Sequence, residues 1–401
     1  MEFMGYKRSD GGVGVRNYLA IIPSVFCAAC TAEKIAAQVP GAIVLRHAVG
    51  CTQVGLDFEL TARTLCNMGT HPNVGGVLII GLGCERFQPT EFYDAVKASG
   101  RPVDMLIIQD EGGTTNTIKK GIELGLKLKA QVNNLKREAC DIRNLTIATK
   151  CGGTDATSGL AANPVVGNMV DKLIDENGSA ILSELNELIG TEDMLAKRAV
   201  NEQVKCKIYA AVSEIENLLK HSIDLSLGEK RNQLISPGNF AGGVSSIVEK
   251  ALGGVHKGGT RPIVDVLEYA VKPEADKHGL FLMNYESQDG EVVTGMIACG
   301  AQIVAFTSGR GNPTGHPIAP VIKITGNRKV YEHMQENFDF DASGVISTGQ
   351  TIDELGDELL AMVLDIANGK QTVSEEMGGN ELFCIGRRHG YHKPEYCPEN
   401  C

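Results

Sequence analysis

No tryptophan occurs in these 401 residues, and aromatic side chains make up 5% of the chain. The 47 glycines, many of them paired, describe a loop-rich scaffold in which backbone approaches a ligand closely. Together these suit a small polar substrate better than a protein partner. No apolar run approaches the roughly 20 residues that span a bilayer, and Met1–Arg8 has no signal-peptide core. The expectation is no membrane association and a cytoplasmic location. Positive charge is short: 38 Lys and Arg against 49 Asp and Glu leave a net charge of −11. That excludes nucleic acid as a main partner while allowing a local basic pocket for an acidic substrate. A Gly-x-x-x-x-Gly-Lys phosphate loop is missing. Gly11-Gly12-Val13-Gly14 precedes a strand instead of linking strand to helix, so it is no dinucleotide fingerprint. Repeats and low-complexity tracts are absent too.

What is present is a globular composition, 43% hydrophobic and 22% charged, in a chain long enough for two cores. Strands at Tyr18–Pro23, Ala42–Arg46, Val77–Ile80 and Val103–Ile108 alternate with helices at Cys27–Gln38, Leu56–Met68, Thr90–Ala98 and Thr115–Lys129. This α/β alternation predicts a doubly wound parallel sheet as an N-terminal domain over residues 1–135. A polar stretch, Gln131–Asn144, reads as the link. A second, Gly-loop-rich α/β domain over 136–401 follows, with strands at Leu145–Thr149, Ala180–Ser183, Ile263–Val266, Ile303–Phe306 and Val321–Ile324. Helices are expected from Ser158 to Ile174, over Met194–Leu219 with a break, and over Ile352–Ile366. The loop Ser236–Gly243 leaves no room for regular structure. Arg387–Cys401 reads as an extended tail.

The chemistry concentrates at strand ends, where open α/β sheets bind ligands. Gly75–Ile80 runs into Gly81-Leu82-Gly83-Cys84-Glu85, and Cys51 and Cys151 occupy similar glycine-flanked settings. Twelve cysteines in a chain of this kind are thiols or metal ligands before they are disulfides. Any one alone is a small buried apolar residue; three in matching loops point to a shared soft-metal site with one position open. Cys27-Ala28-Ala29-Cys30 has redox-pair spacing, yet helix packing is the favoured role. Cys397 and Cys401 are incidental. Glu85 is a metal ligand, a general base or a carboxylate meeting a helix dipole. Lys150 orients a carboxylate or serves as base, unless it is a surface cation. Asp155 stands beside it. Arg310, among glycines, can grip a carboxylate with two parallel bonds, or simply occupy a turn. His47, four residues before Cys51, has better standing than the lone loop residue His316. Asn239 offers an amide.

In order along the chain, Arg8–Asn17, Gly50–Gln53, Gly81–Glu85, Lys150–Asp155, Ala162–Pro164, Ser236–Asn239, Ser308–Gly311, Asp339–Ala342 and Ala367–Thr372 resemble the altronate/galactarate dehydratase family over roughly residues 5–375. The resemblance implies a lyase that dehydrates a hydroxylated sugar acid to a 2-keto-3-deoxy acid, with a relative that removes sulfite from sulfolactate. It implies iron, as Fe2+ or as a [4Fe–4S] cluster, with Mn2+ as the alternative, held by Cys51, Cys84 and Cys151. Lys150, Asp155, His47 and Glu85 would handle protons, and Arg310, Asn239, Arg16 and Gln53 would orient the substrate. Single-chain members carry a small N-terminal SAF domain, whereas this chain starts at the Gly5-Tyr6-Lys7-Arg8 segment. A large subunit with a separate small SAF-domain partner, in an oligomer, is therefore expected. Gly55-Leu56-Asp57-Phe58-Glu59 is more apolar than the corresponding stretch of altronate enzymes, which leaves the substrate open. A non-catalytic sugar-acid-binding subunit is the reading from outside enzymology, and soft-metal ligands weigh against it.

Overall fold

A computed structural model describes residues 1–222, 235–379 and 383–387. It opens with β1 (Glu2–Lys7) and the short β2 (Val13–Gly14), which pair antiparallel. Then β3 (Tyr18–Pro23), β4 (Ala42–Val44), β5 (Val74–Gly81) and β6 (Val103–Ile107) form a parallel sheet in the order β4-β3-β5-β6. Helices Ala29–Ala36, Gly55–Gly69, Pro89–Ala98 and Thr114–Asn133 alternate with these strands. All eight residues of β5 are buried, as a central parallel strand covered on both faces requires. The chain goes from β3 out to β4 and returns to β5 on the other side, so the strand order reverses between β3 and β5.

The next strand, β7 (Glu138–Asp141), lies in the stretch expected to be a link and pairs with β1. A second sheet then takes β8 (Thr146–Cys151), β9 (Ser179–Leu182), β10 (Ile263–Glu268), β11 (Leu280–Asn284), β12 (Ile303–Thr307), β13 (Val321–Thr325) and β14 (Phe340–Asp341). All seven are parallel, in the order β10-β11-β9-β8-β12-β13-β14. Here the order reverses at β8, with β9 on one side and β12 on the other. That crevice, outside the carboxyl ends of the strands, is where such sheets bind ligands.

The two sheets share one apolar core: Ile22 and Ile79 of the first pack in the same cluster as Phe281 and Val304 of the second. Val292 and Met296 of helix Asp289–Ala298 belong to it. Arg16 is a pin across the chain. Its Nε and Nη2 bond the two oxygens of Glu375 at 2.8 Å each, and its remaining protons go to the carbonyls of Val15, Ile366 and Lys370. Helix Asp289–Ala298, β1 and β11 are among the elements that escaped the sequence pattern. Helix Asp289–Ala298 is buried all round from Val292 onward, so it has no polar face to betray a period. The loop Ser236–Gly243 does contain regular structure, the short helix Pro237–Ala241. Of the expected tail, residues 388–401 lie outside the described residues.

Candidate active site

β8 ends at Lys150-Cys151, and the turn beyond it is tied to the end of β12. Gly152 N donates to Thr307 O (2.8 Å), and Gly309 N donates to Gly153 O (2.9 Å). The neighbouring strand β9 runs out into Ser183-Glu184, where Glu184 adopts φ +69°, a conformation costly for a long L side chain. That turn sends the carboxylate inward, fully buried. Glu184 accepts from Lys150 Nζ, from Lys257 Nζ (2.7 Å), from Cys151 N (2.9 Å) and from Ser287 Oγ (3.1 Å). One helical turn on, Glu187 pairs with Lys250 Nζ at 2.8 Å and accepts from Ser287 Oγ (3.0 Å) and the Cys151 thiol (3.1 Å). Lys150 also reaches Asp289 at 2.9 Å. A cavity of about 380 Å³ opens here, lined by Cys151, Gly152, Asn239, Lys250, Ser287 and Asp289 among others.

The electrostatics follow from burial and pairing. Burial alone would push the lysine values down. Around Lys150, the carboxylates of Glu184 and Asp289 more than offset it and raise its pKa. Lys250 and Lys257 are raised in the same way, chiefly by Glu187 for the first and by Cys151 and Glu184 for the second. These three are fixed ammonium charges, not bases. Burial and Glu187 push the Cys151 thiol up to about 11. For Glu187, the ammonium groups of Lys250, Lys257 and Lys150 overcome burial and hold it well below the usual carboxylate range.

Ligand atoms of Cys151, Glu184 and Glu187 all lie within 4.8 Å of one another, the spacing of a metal-binding group. Thiolate and carboxylate donors are of a type that Fe2+ accepts. The charges are already matched, however, because each carboxylate holds at least one ammonium within 3 Å. A dication would have to displace those lysines and the thiol proton. A cluster fits less well still, since Cys151 is the one cysteine in this group.

The other expected residues divide sharply. Asn239 lines the cavity, and its Oδ1 accepts from Thr154 N (3.1 Å). Arg310 lies exposed at the cavity's edge, packed over Gly153, with Nη1 3.4 Å from Gly238 O. Asp155 is spent on its own turn: Oδ1 accepts from Thr157 Oγ1 and Ser158 N, and Oδ2 from Asn327 Nδ2 at 2.7 Å. Glu85 likewise accepts from Ser24 Oγ (2.6 Å), Leu82 N (3.0 Å) and Gly83 N (2.6 Å). Gln53 accepts from Gly50 N in its own loop and donates to Asp57 and Thr61 of the helix that follows. Cys51 and Cys84 are exposed in the loops after β4 and β5 and do not join the Cys151 group. Cys27 and Cys30 are exposed too, which corrects their assignment to helix packing, and Cys206 is disulfide-bonded, which corrects the expectation of thiols throughout.

His47 is buried with both ring nitrogens engaged: Nε2–H donates to Pro23 O (2.7 Å) and Nδ1 accepts from Val49 N (3.4 Å). Burial lowers its pKa to about 4 from an ordinary 6.5. A depressed histidine contributes stability that is complete above the unfolded value and lost as pH falls from 6.5 toward 4. The expected loss is about 3 kcal/mol at 1.36 kcal/mol per pKa unit. Urea midpoints at pH 7 and pH 4.5 should show it, and His47→Gln should flatten the slope.

Glu184, Glu187, Lys250, Lys257 and Asp289 were missed by sequence reasoning. One signal was available: Glu184 follows the predicted strand Ala180–Ser183, the same strand-end position that singled out Cys84 and Cys151.

Comparison with known proteins places nearly the whole chain. The family model for the D-galactarate/altronate dehydratase C-terminal region matches residues 142–389, and that for the D-galactarate dehydratase/altronate hydrolase second domain matches residues 5–133. The (2R)-sulfolactate sulfo-lyase subunit beta of Chromohalobacter salexigens is 36% identical, covering 95% of this chain and 96% of its own. Altronate dehydratase of Bacillus subtilis is 35% identical over 95% of this chain and 76% of its own. Galactarate dehydratase (L-threo-forming) of Escherichia coli is 33% identical over 96% and 76%.

Proposed function

Since this chain belongs to the D-galactarate/altronate dehydratase family, whose named relatives are lyases, we propose that it dehydrates a sugar acid such as altronate or galactarate to a 2-keto-3-deoxy acid. The observation that carries this reading is the meeting of three buried ammonium groups, Lys150, Lys250 and Lys257, with a polar cavity at the carboxyl ends of β8 and β9. Removing a proton beside a carboxylate builds a second negative charge on the substrate, and preorganised cations are what stabilise it. Arg310 and Asn239 receive the substrate carboxylate. Asp289, whose side chain is 41% exposed against 5% for Glu187 and 0% for Glu184, takes the proton from C2. The C2–H electrons form the C2–C3 double bond, and the C3–O bond breaks. The hydroxyl leaves as water with the proton that Asp289 hands on, Lys250 keeping its charge beside it, and the enol product tautomerises to the keto acid. When bound, iron, or manganese as the alternative, supplies Lewis-acid assistance at substrate oxygens.

A second reading, sulfite as the leaving group, is favoured by the end-to-end match to a sulfolactate sulfo-lyase subunit. That relative's designation as a beta subunit also supports this chain as the large subunit of a two-chain enzyme with a small SAF-domain partner. The test is an anaerobic assay with iron on altronate, galactarate and sulfolactate, recording 2-keto acid and free sulfite. Keto acid without sulfite is the expected result; sulfite with pyruvate would overturn dehydration in favour of the second reading.

A further inference from the structure

Buried charge in proteins is ordinarily paired, and the cavity beside Lys150 obeys that rule. A second cavity, at the amino edge of the four-stranded sheet, breaks it. Its volume is about 460 Å³. It is lined by Tyr6 of β1, Arg16 ahead of β3, and Asn133, Leu135, Lys136 and Arg137 on the way from helix Thr114–Asn133 to β7. None of its lining residues is acidic, in a chain whose net charge is −11. No lining residue is common to the two cavities.

The cations here divide by partner. Arg16 is neutralised by Glu375 at 2.8 Å. Arg137 is not: its guanidinium donates to three neutral carbonyls, those of Met4, Ala367 (2.7 Å) and Val15 (2.8 Å), and stands 4.8 Å from the centre of the Tyr6 ring. Arg8, which is buried, approaches the same ring at 5.7 Å. Its bonds end on the carbonyls of Pro72 and Arg16 and on the amide oxygen of Asn17. Neither arginine forms an ion pair among the described residues, nor does the exposed Lys136. Glu138, next to Arg137 in sequence, is committed to Lys7 at 3.1 Å. Burial, joined at Arg8 by the charge of Arg101, lowers both arginines, Arg8 to about 10 from 12.5, as a guanidinium without a bonded carboxylate should be. The three carbonyls on Arg137 come from β1, from the residue after β2 and from the end of helix Ile352–Ala367. The unpaired charge is therefore fixed where the two domains meet, a common setting for small-molecule sites.

We propose that this second cavity binds a small organic anion through its carboxylate or phosphate oxygens, with Lys136 and Arg137 as the cationic partners. The anion brings the negative charge that the surrounding fold leaves out. Three of the five N–H donors of a guanidinium are committed to carbonyls at Arg137, so the fold does not exhaust it, and its planar edge suits an oxyanion. Asn133 adds an amide donor, and Tyr6 and Leu135 lie against the carbon skeleton. The site stands apart from the lyase reading and does not rest on it.

The test is isothermal titration calorimetry of the full chain at low ionic strength with two probes, succinate and inorganic phosphate. Both can also enter the first cavity, so two variants separate the sites. Lys136→Glu reverses an exposed, unpaired charge, which the fold tolerates; Lys250→Met removes the ammonium that lines the first cavity. At least one probe should bind, and its affinity should fall about 10-fold or more in Lys136→Glu, the worth of a charge-assisted hydrogen bond. That binding should persist in Lys250→Met. Arg137→Gln should abolish it, with circular dichroism and the thermal midpoint as checks on folding; if the glutamine variant fails to fold, Lys136→Glu decides alone. Binding of succinate alone assigns a carboxylate ligand, binding of phosphate alone a phosphorylated one, and either supports the site. No heat from either probe at millimolar concentration, an affinity unchanged in Lys136→Glu, or binding lost in Lys250→Met instead would overturn the proposal.

Discussion

Asp289→Asn is expected to lower kcat by roughly 10²- to 10⁴-fold, the range lost with a positioned general base. The argument starts from access. Glu184 and Glu187 are buried beneath ammonium groups, whereas Asp289 lines the cavity with its side chain 41% exposed. Asparagine keeps the shape and an oxygen for the bond from Asn312 Nδ2, now 3.0 Å from Asp289 Oδ2. Lys150 keeps Glu184, so the network behind the cavity remains paired, and a half-exposed ion pair is worth at most about 1 kcal/mol. Folding should therefore be nearly unaffected. The loss should fall on kcat more than KM, because the missing proton transfer belongs to the transition state. In deuterated water the variant should also stop exchanging the substrate's C2 hydrogen. A raised KM with kcat intact would make Asp289 a binding residue and move the base elsewhere.

The sequence was most legible where one physical rule acted alone. β3, β5, β8, β12 and β13 are short apolar runs ending at glycine or polar turns, and a strand covered on both faces has no other way to read. Helix Ile352–Ala367 carries both an amphipathic stripe and a Thr351–Glu354 capping box, and its period was found to within a residue. Helix Asp289–Ala298 was invisible because burial all round erases the period that defines a helix in sequence.

The candidate site was half legible for a related reason. Strand-end loops announce themselves by glycine, and that drew attention to Cys84, Cys151 and Arg310. What glycine cannot announce is whether the side chain beside it faces a ligand or its own loop. Glu85, Asp155, Gln53 and His47 stand at strand ends like the others, yet each is consumed by hydrogen bonds to backbone within a few residues or to the adjacent loop. Lys250, which lines the cavity, comes from helix Ile247–Gly254, and Lys257, paired with Glu184 behind it, comes from the turn after that helix. Lys250 and Lys257 are seven apart there, and in sequence they read as an ordinary solvated helix face. Only the fold reveals that both point at carboxylates from β9.

Glu184→Gln should cost about 3–5 kcal/mol of stability, the penalty for removing one partner from a buried ion pair, and should abolish activity with it. Glu184 is fully buried and forms ion pairs with both Lys150 and Lys257. Glutamine fills the space but leaves the Lys257 ammonium uncompensated in a low-dielectric setting. The pH dependence separates this cause from mere misfit. In the unmodified chain the pKa of Lys257 is raised above its ordinary 10.5. Its contribution to stability is thus complete below 10.5 and lost only as pH rises through the folded value. Without Glu184, desolvation depresses the lysine, so the native state binds fewer protons than the unfolded one and stability should rise as pH climbs toward 10.5. Glu184→Gly adds a second axis, since glycine relieves a left-handed backbone that costs a side chain about 1–2 kcal/mol. It should therefore match or exceed the glutamine variant in stability despite losing more contacts, while remaining inactive. Denaturant unfolding across pH 6–10 would decide the matter: a Glu184→Gln chain whose stability fell with rising pH would show that Lys257 keeps its charge by another route, and the ammonium network would then not depend on this strained glutamate.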